Sequence, residues 1–178
     1  DVNIKLLNGN TEQIEAALID KNIDLGIIEG KSKNRGIRYT EFVKDEIVLV
    51  SNINHPLASR PYITFAELKT IPLLQREAGS GTLDVISHAL KSRGVSMSQL
   101  QVEMELGSTE AIKSYLRNSD CMAFLSVHSV FSELANKTFA IIDVEDLTIG
   151  RFFYFIERQG SSEALAELFM NFARAAIT

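Results

Sequence analysis

Leu73-Leu74-Gln75-Arg76-Glu77-Ala78-Gly79-Ser80-Gly81-Thr82 is an apolar run that turns charged, breaks at two glycines and leads at once into a helical pattern. Leu83, Ile86 and Leu90 follow at the spacing of one helix stripe. The stretch therefore reads as a buried strand, a tight turn and a helix N-terminus. Such a junction leaves backbone N–H groups unpaired and pointing at one spot. The aligned peptide dipoles add partial positive charge there, which favours a carboxylate or another small anion.

The same punctuation recurs outward from this point. On the N-terminal side, Val2 to Leu7 alternates apolar and polar residues and stops at Asn8-Gly9-Asn10, a strand and turn pattern. Asn10 or Thr11 then caps a helix with the stripe Ile14, Ala17 and Leu18. Ile23 to Ile28 reads as a short buried parallel strand, giving strand–helix–strand within ~30 residues, the size of one crossover unit. A charged, glycine-bearing connection from Glu29 to Asp45 leads to the strand Glu46 to Val50 and the loop His55-Pro56-Leu57-Ala58. Thr64 and Glu67 have capping-box spacing and start a short helix.

On the C-terminal side, the strand Gln101 to Leu106 meets Gly107-Ser108-Thr109 and a helix with the stripe Ile112, Tyr115 and Leu116. Cys121 to Leu125 is a buried strand, followed by Ser126 and a helical turn from Val127 to Leu134. Phe139 to Val144 and Phe152 to Ile156 are the last strands. The closing helix starts near Ser161-Ser162 with Leu165, Leu168, Phe169 and Phe172 on one face.

Alternating strands and helices argue for an α/β chain with parallel sheets covered on both sides. Connections around Asp45 to Ser51 and Glu145 to Gly150 divide it into two expected lobes, 1–50 with 151–178 and 51–150. Folds of this kind bind ligands in the cleft where strand C-termini and helix N-termini converge.

Composition narrows the function classes. The chain has 178 residues, 46% of them hydrophobic, enough for a real core. With a net charge of −5 and no Lys/Arg stripe, it is not built to grip phosphate backbones by itself. Cys121 is the only cysteine, so there is no internal disulfide and no CxxC pair, which suits a reducing, cytoplasmic setting. No apolar run reaches the length of a membrane span. The opening Asp1-Val2-Asn3-Ile4-Lys5-Leu6-Leu7 starts in mid-strand without a leader-like pattern, and a piece of a longer protein is expected.

Gly79-Ser80-Gly81-Thr82 is not a phosphate loop, a dinucleotide fingerprint or a nucleophile elbow, because the required Lys or further glycines are missing. Its bland alternative is a tight turn that caps a helix. Ser108-Thr109 alone equally fits a helix cap. Ser126 makes a third hydroxyl-bearing junction, and in a parallel sheet the three lie along one edge. Asn10 does the same job in the first lobe, while Arg76 either supplies a guanidinium to an anion or pairs with Glu77. His55, His88 and His128 are scattered without metal-ligand spacing, and no catalytic constellation or cofactor motif emerges.

The order and spacing of these elements resemble the effector-binding domain of LysR-type transcriptional regulators over essentially the whole chain. The residues that carry this are Ile23-Asp24-Leu25-Gly26-Ile27-Ile28, then Val48-Leu49-Val50 with His55-Pro56-Leu57-Ala58. The Gly-Ser-Gly-Thr segment and Cys121-Met122-Ala123-Phe124-Leu125-Ser126 add to them, although Ser126 stands where the family commonly has proline. The resemblance implies two Rossmann-like lobes joined by crossover strands, the type II periplasmic-binding-protein architecture. It implies a small-molecule effector in the cleft near Asn10, Ser80, Gly81, Thr82 and Ser108-Thr109. It also implies an upstream winged helix-turn-helix for DNA, a first strand and helix of the effector domain before Asp1, and a homodimer or homotetramer in the whole protein. Competing readings are a solute-binding protein of a transport system and an enzyme on this fold.

Overall fold

The computed structural model describes residues 4–30, 34–160 and 164–177. The chain divides into two compact units. Unit 1 comprises Asp1–Lys44, Gly79–Gly81 and Phe152–Thr178, and unit 2 comprises Asp45–Ala78 and Thr82–Arg151.

Unit 2 holds most of the regular structure. Its strands are the second half of β2 (Ile37–Asn52), β3 (Tyr62–Ile63), β4 (Pro72–Arg76), β5 (Gln101–Leu106), β6 (Met122–Ser126), β7 (Phe139–Val144) and the start of β8 (Ile149–Arg158). β4 runs parallel to both β5 and β6, and β3 runs parallel to β7. β2 is antiparallel to β6 (Ile47 opposite Ser126) and to β7 (Leu49 opposite Ile142). Successive side chains of a strand point to opposite faces, and both faces here are covered. Leu49, Leu73, Met122 and Phe124 pack with Ile86 and Leu90 of α3 (Gly81–Ser92) and with Leu68 of α2 (Phe65–Leu68). Val50, Leu74, Ala123 and Leu125 pack on the other side with Ile112 and Leu116 of α4 (Thr109–Leu116) and Val130 of α5 (Val127–Ala135). Fully burying a side chain such as Leu90 or Leu116 stabilises by roughly 1.5–3 kcal/mol.

Unit 1 has a smaller core. α1 (Thr11–Ile19) buries Ile14, Ala17 and Leu18, the stripe read from sequence, and packs with Ile28 of β1 (Gly26–Glu29), Ile37 and Ile156. β1 is antiparallel to β8, with Gly26 opposite Ile156 and Glu29 opposite Phe153. Arg158 donates to the Leu18 and Ile23 carbonyls at 3.3 and 3.0 Å, which satisfies acceptors at the end of α1. Arg38 meets the buried Glu157 at 2.8 Å.

Three expectations are corrected, and the closing helix is qualified. Ile4–Leu7, the described part of the opening strand, has no ladder partner among the described residues. Ile4 and Leu6 are exposed there, because alternation makes a strand only where a neighbour takes up its N–H and C=O groups. Val2 and Asn3 lie outside the described residues. The parallel strand expected over Ile23 to Ile28 is the shorter, antiparallel β1. The charged connection Glu29 to Asp45 contains the first half of β2: from Ile37 onward, charges hide a partly buried extended segment. In α6 (Ala164–Ala175), Ala166 and Met170 are buried, whereas Leu165, Leu168, Phe169 and Phe172 are exposed. The expected start of that helix at Ser161-Ser162 lies outside the described residues. Among the described residues no helix is long and apolar enough to cross a membrane.

Candidate functional site

In unit 1 the relevant feature is the turn Gly79–Gly81. Gly79 adopts φ +82°, a left-handed conformation natural to glycine. A Cβ there would stand 2.7 Å from a Glu12 carboxylate oxygen. Gly81 presses its Cα against the Glu29 carbonyl so closely that a Cβ would collide with that oxygen and approach Thr11 Oγ1 to 2.7 Å. Thr11 Oγ1 also donates to the Glu29 carbonyl at 3.3 Å. Between the two glycines sits Ser80, 1% exposed, whose hydroxyl has no hydrogen-bond partner among the described residues. A buried hydroxyl left unpaired costs about 1–3 kcal/mol, so its retention needs a reason. It directly precedes α3, a 12-residue helix, where N–H groups and the helix dipole favour an anion.

Asn10 caps α1 through a complete capping box. Its Oδ1 accepts from the Gln13 N–H, and Gln13 Oε1 accepts from the Asn10 N–H, both at 3.0 Å.

In unit 2, Thr82 and Ser126 come together through two residues the sequence did not single out, Asp45 and Arg151. Arg151 Nε donates to Asp45 Oδ2 at 2.6 Å, and Arg151 Nη1 donates to Thr82 Oγ1 at 2.9 Å. Ser126 Oγ donates to Asp45 Oδ1 at 2.8 Å. The Asp45 and Arg151 side chains are 0% and 2% exposed. An isolated charge at such depth would be costly, and the charge-assisted bonds make the pair tolerable. His128 Nε2 lies 3.9 Å from Asp45 Oδ1 with its imidazole largely in solvent. Nothing in the sequence marked this pair. Asp45 looked like one charge among many in a connection, and Arg151 stands more than a hundred residues away at the head of an aromatic strand.

Arg76 forms a bidentate pair with Glu77, at 2.8 and 3.0 Å, and also reaches Thr109 Oγ1 at 3.4 Å. The pairing of Arg76 with its neighbour, one of the two sequence readings, is present. Ser108 caps α4 by accepting from the Ala111 N–H at 3.1 Å. From α4 itself, Lys113 meets Glu110 of the same helix and the buried Glu133 of α5 at 3.0 and 3.1 Å. Burial opposes both charges, but the bonds to Glu110 and Glu133 win and raise the Lys113 pKa, while the bond from Lys113 lowers that of Glu133. Burial pushes the Cys121 thiol up, which keeps it unreactive. His55 accepts from the Leu57 N–H through Nδ1 and so holds its own loop. Among the described residues no group of His, Cys, Asp or Glu could hold a metal ion.

The family model for the LysR substrate binding domain matches residues 1–178. The HTH-type transcriptional activator CmpR of Synechocystis is 28% identical over 172 residues, covering 96% of this chain and 56% of that protein. The chain spans about half the length of the curated relatives it matches. The regulatory domain of Synechocystis CcmR, solved in complex with 2-PG, superposes with a TM-score of 0.82 at 27% identity, over 94% of this chain and 79% of that one. The effector binding domain of QuiR in complex with shikimate has a TM-score of 0.80 at 18% identity, over 94% and 78%, a likeness of fold alone. The fold is thus the type II periplasmic-binding-protein architecture expected from sequence. This chain belongs to the LysR substrate-binding domain family.

Proposed function

We propose that this chain is the effector-sensing part of a LysR-type transcriptional regulator, and that it takes a small anionic metabolite at the Gly79–Thr82 turn. The observation that carries this reading is Ser80, a buried hydroxyl without a partner among the described residues, at the N-terminus of α3. A ligand oxygen supplies the missing acceptor, and the first N–H groups of α3 supply the rest. Asn10, Arg76, Ser108, Thr109 and Ser126 belong to the same proposal as residues that contact or border the effector. The two compact units serve as regulatory lobes, and the bound metabolite biases their equilibrium by its differential affinity for one state. Another part of the protein carries the DNA-binding helices, and the whole protein works as a cytoplasmic homodimer or homotetramer. The 2-PG bound to the CcmR domain and the shikimate bound to the QuiR domain support a small, oxygen-rich ligand.

The test is a thermal-shift screen of small anions, including 2-PG, shikimate, acetate and inorganic phosphate, on the chain and on Ser80→Ala. A ligand at a hundred times its Kd stabilises by about 2.7 kcal/mol. Ser80→Ala should keep or raise the stability of the free protein, since it removes an unpaired polar atom, and should weaken binding roughly tenfold. Silence to every anion at saturation, or unchanged affinity in Ser80→Ala, overturns the reading.

A further inference from the structure

The buried pair Asp45–Arg151 does more than hold unit 2 together: we infer that it is a positioning device for the effector turn, acting through Thr82. The inference rests on the anion-binding reading of that turn. Its basis is a network that joins residues of four separate elements: Asp45 on β2, Thr82 in the first turn of α3, Ser126 at the end of β6 and Arg151 on β8. Arg151 is the junction. One edge of its guanidinium is committed to Asp45 at 2.6 Å, and Nη1 reaches Thr82 at 2.9 Å. Ser126 then fixes the other Asp45 oxygen, so the carboxylate cannot rotate without breaking a buried bond.

Stability alone explains such a cluster poorly. Buried ion pairs are often matched or exceeded by apolar residues of the same volume, because desolvation offsets the attraction. A guanidinium offers something an apolar side chain cannot, a rigid planar fork of donors. Here the fork pins the Thr82 oxygen one residue after Gly81, where α3 begins. By donating to Thr82, Arg151 occupies an acceptor position of that hydroxyl and orients its proton away from the guanidinium. The first turn of α3 is thereby held in one rotamer and one place, which an anion site made of fixed N–H groups requires. Asp45 in turn neutralises Arg151, so the positioning group adds no net charge.

The test replaces the cluster by apolar residues. Asp45→Leu with Ser126→Ala and Arg151→Met should leave the unfolding midpoint unchanged or raised, yet weaken the best-bound anion of the panel roughly tenfold. Thr82→Val should weaken binding in the natural chain and add nothing in the apolar background, since the two changes act on one interaction. Arg151→Lys keeps the charge opposite Asp45 but not the fork, and should show the same loss of affinity with the fold intact. If the apolar triple variant or Arg151→Lys binds as tightly as the natural chain, or Thr82→Val costs the same in both backgrounds, the inference is overturned while the effector reading stands. If the natural chain binds none of the anions, both fall.

Discussion

Ser80 and Gly81 are neighbours with opposite requirements. Ser80 holds a polar atom in the dark without a partner among the described residues, while Gly81 must have no side chain at all. The collision at Gly81 is with the Glu29 backbone, which has little freedom to yield. Gly81→Ala is therefore expected to destabilise by about 1–3 kcal/mol, the usual cost of overpacking, as read from a urea midpoint. It should also abolish the anion response, because the shift falls on the turn that carries Ser80. An alanine variant with unchanged stability would mean that the Glu29 carbonyl does not lie where it is described. The glycines were visible in the sequence as a turn, but the reason for the second one was not. A close approach between residues 81 and 29 is a tertiary fact without a local signature. The same holds for Asp45 and Arg151, whose pairing depends on two distant strands coming together.

At the level of elements, short signals were the reliable ones. Thr64 and Glu67 form the capping box their spacing announced: the Thr64 N–H donates to Glu67 Oε2 at 2.8 Å, and Thr64 Oγ1 accepts from the Glu67 N–H at 3.2 Å. That backbone bond, helped by Arg60, pulls the Glu67 pKa from 4.5 down to about 2. A carboxyl whose folded pKa is lowered stabilises fully above its unfolded pKa and loses the contribution as pH falls through the folded one. The advantage of the natural chain over Glu67→Gln in thermal midpoint should accordingly shrink from about pH 4.5 and vanish near pH 2. A difference that is constant across that range would show that the charged form is not what the cap uses. Longer patterns told less. The stripe on α6 is real, yet Leu165, Leu168 and Phe172 face outward, because periodicity tells which residues share a side and not what that side meets. The charges of Arg38, Glu41 and Lys44 concealed half of β2, since a strand with one wet side tolerates them.

For the whole molecule, the two units differ in how much apolar surface they bury. Unit 2 has a cluster on each side of its sheet, whereas the cluster of unit 1 is built on Ile14, Leu18, Ile28, Ile37 and Ile156. Local opening free energy follows buried apolar contact. Native-state hydrogen exchange should find the amides of Val50, Leu74 and Ala123 the slowest, and those of β1 markedly faster. Equal protection throughout would contradict this ranking. The outermost strand of the unit 2 ladder, β5, has a different consequence. Among the described residues it pairs with β4 alone, and Val102 and Met104 are exposed while Glu103 and Glu105 alternate with them. A bare strand rim with such residues invites stacking by strangers, and like-charged carboxylates on every second position keep them at a distance. The shelf life of a concentrated solution thus depends on two glutamates along one sheet edge, and high salt, which screens them, is where clouding would begin.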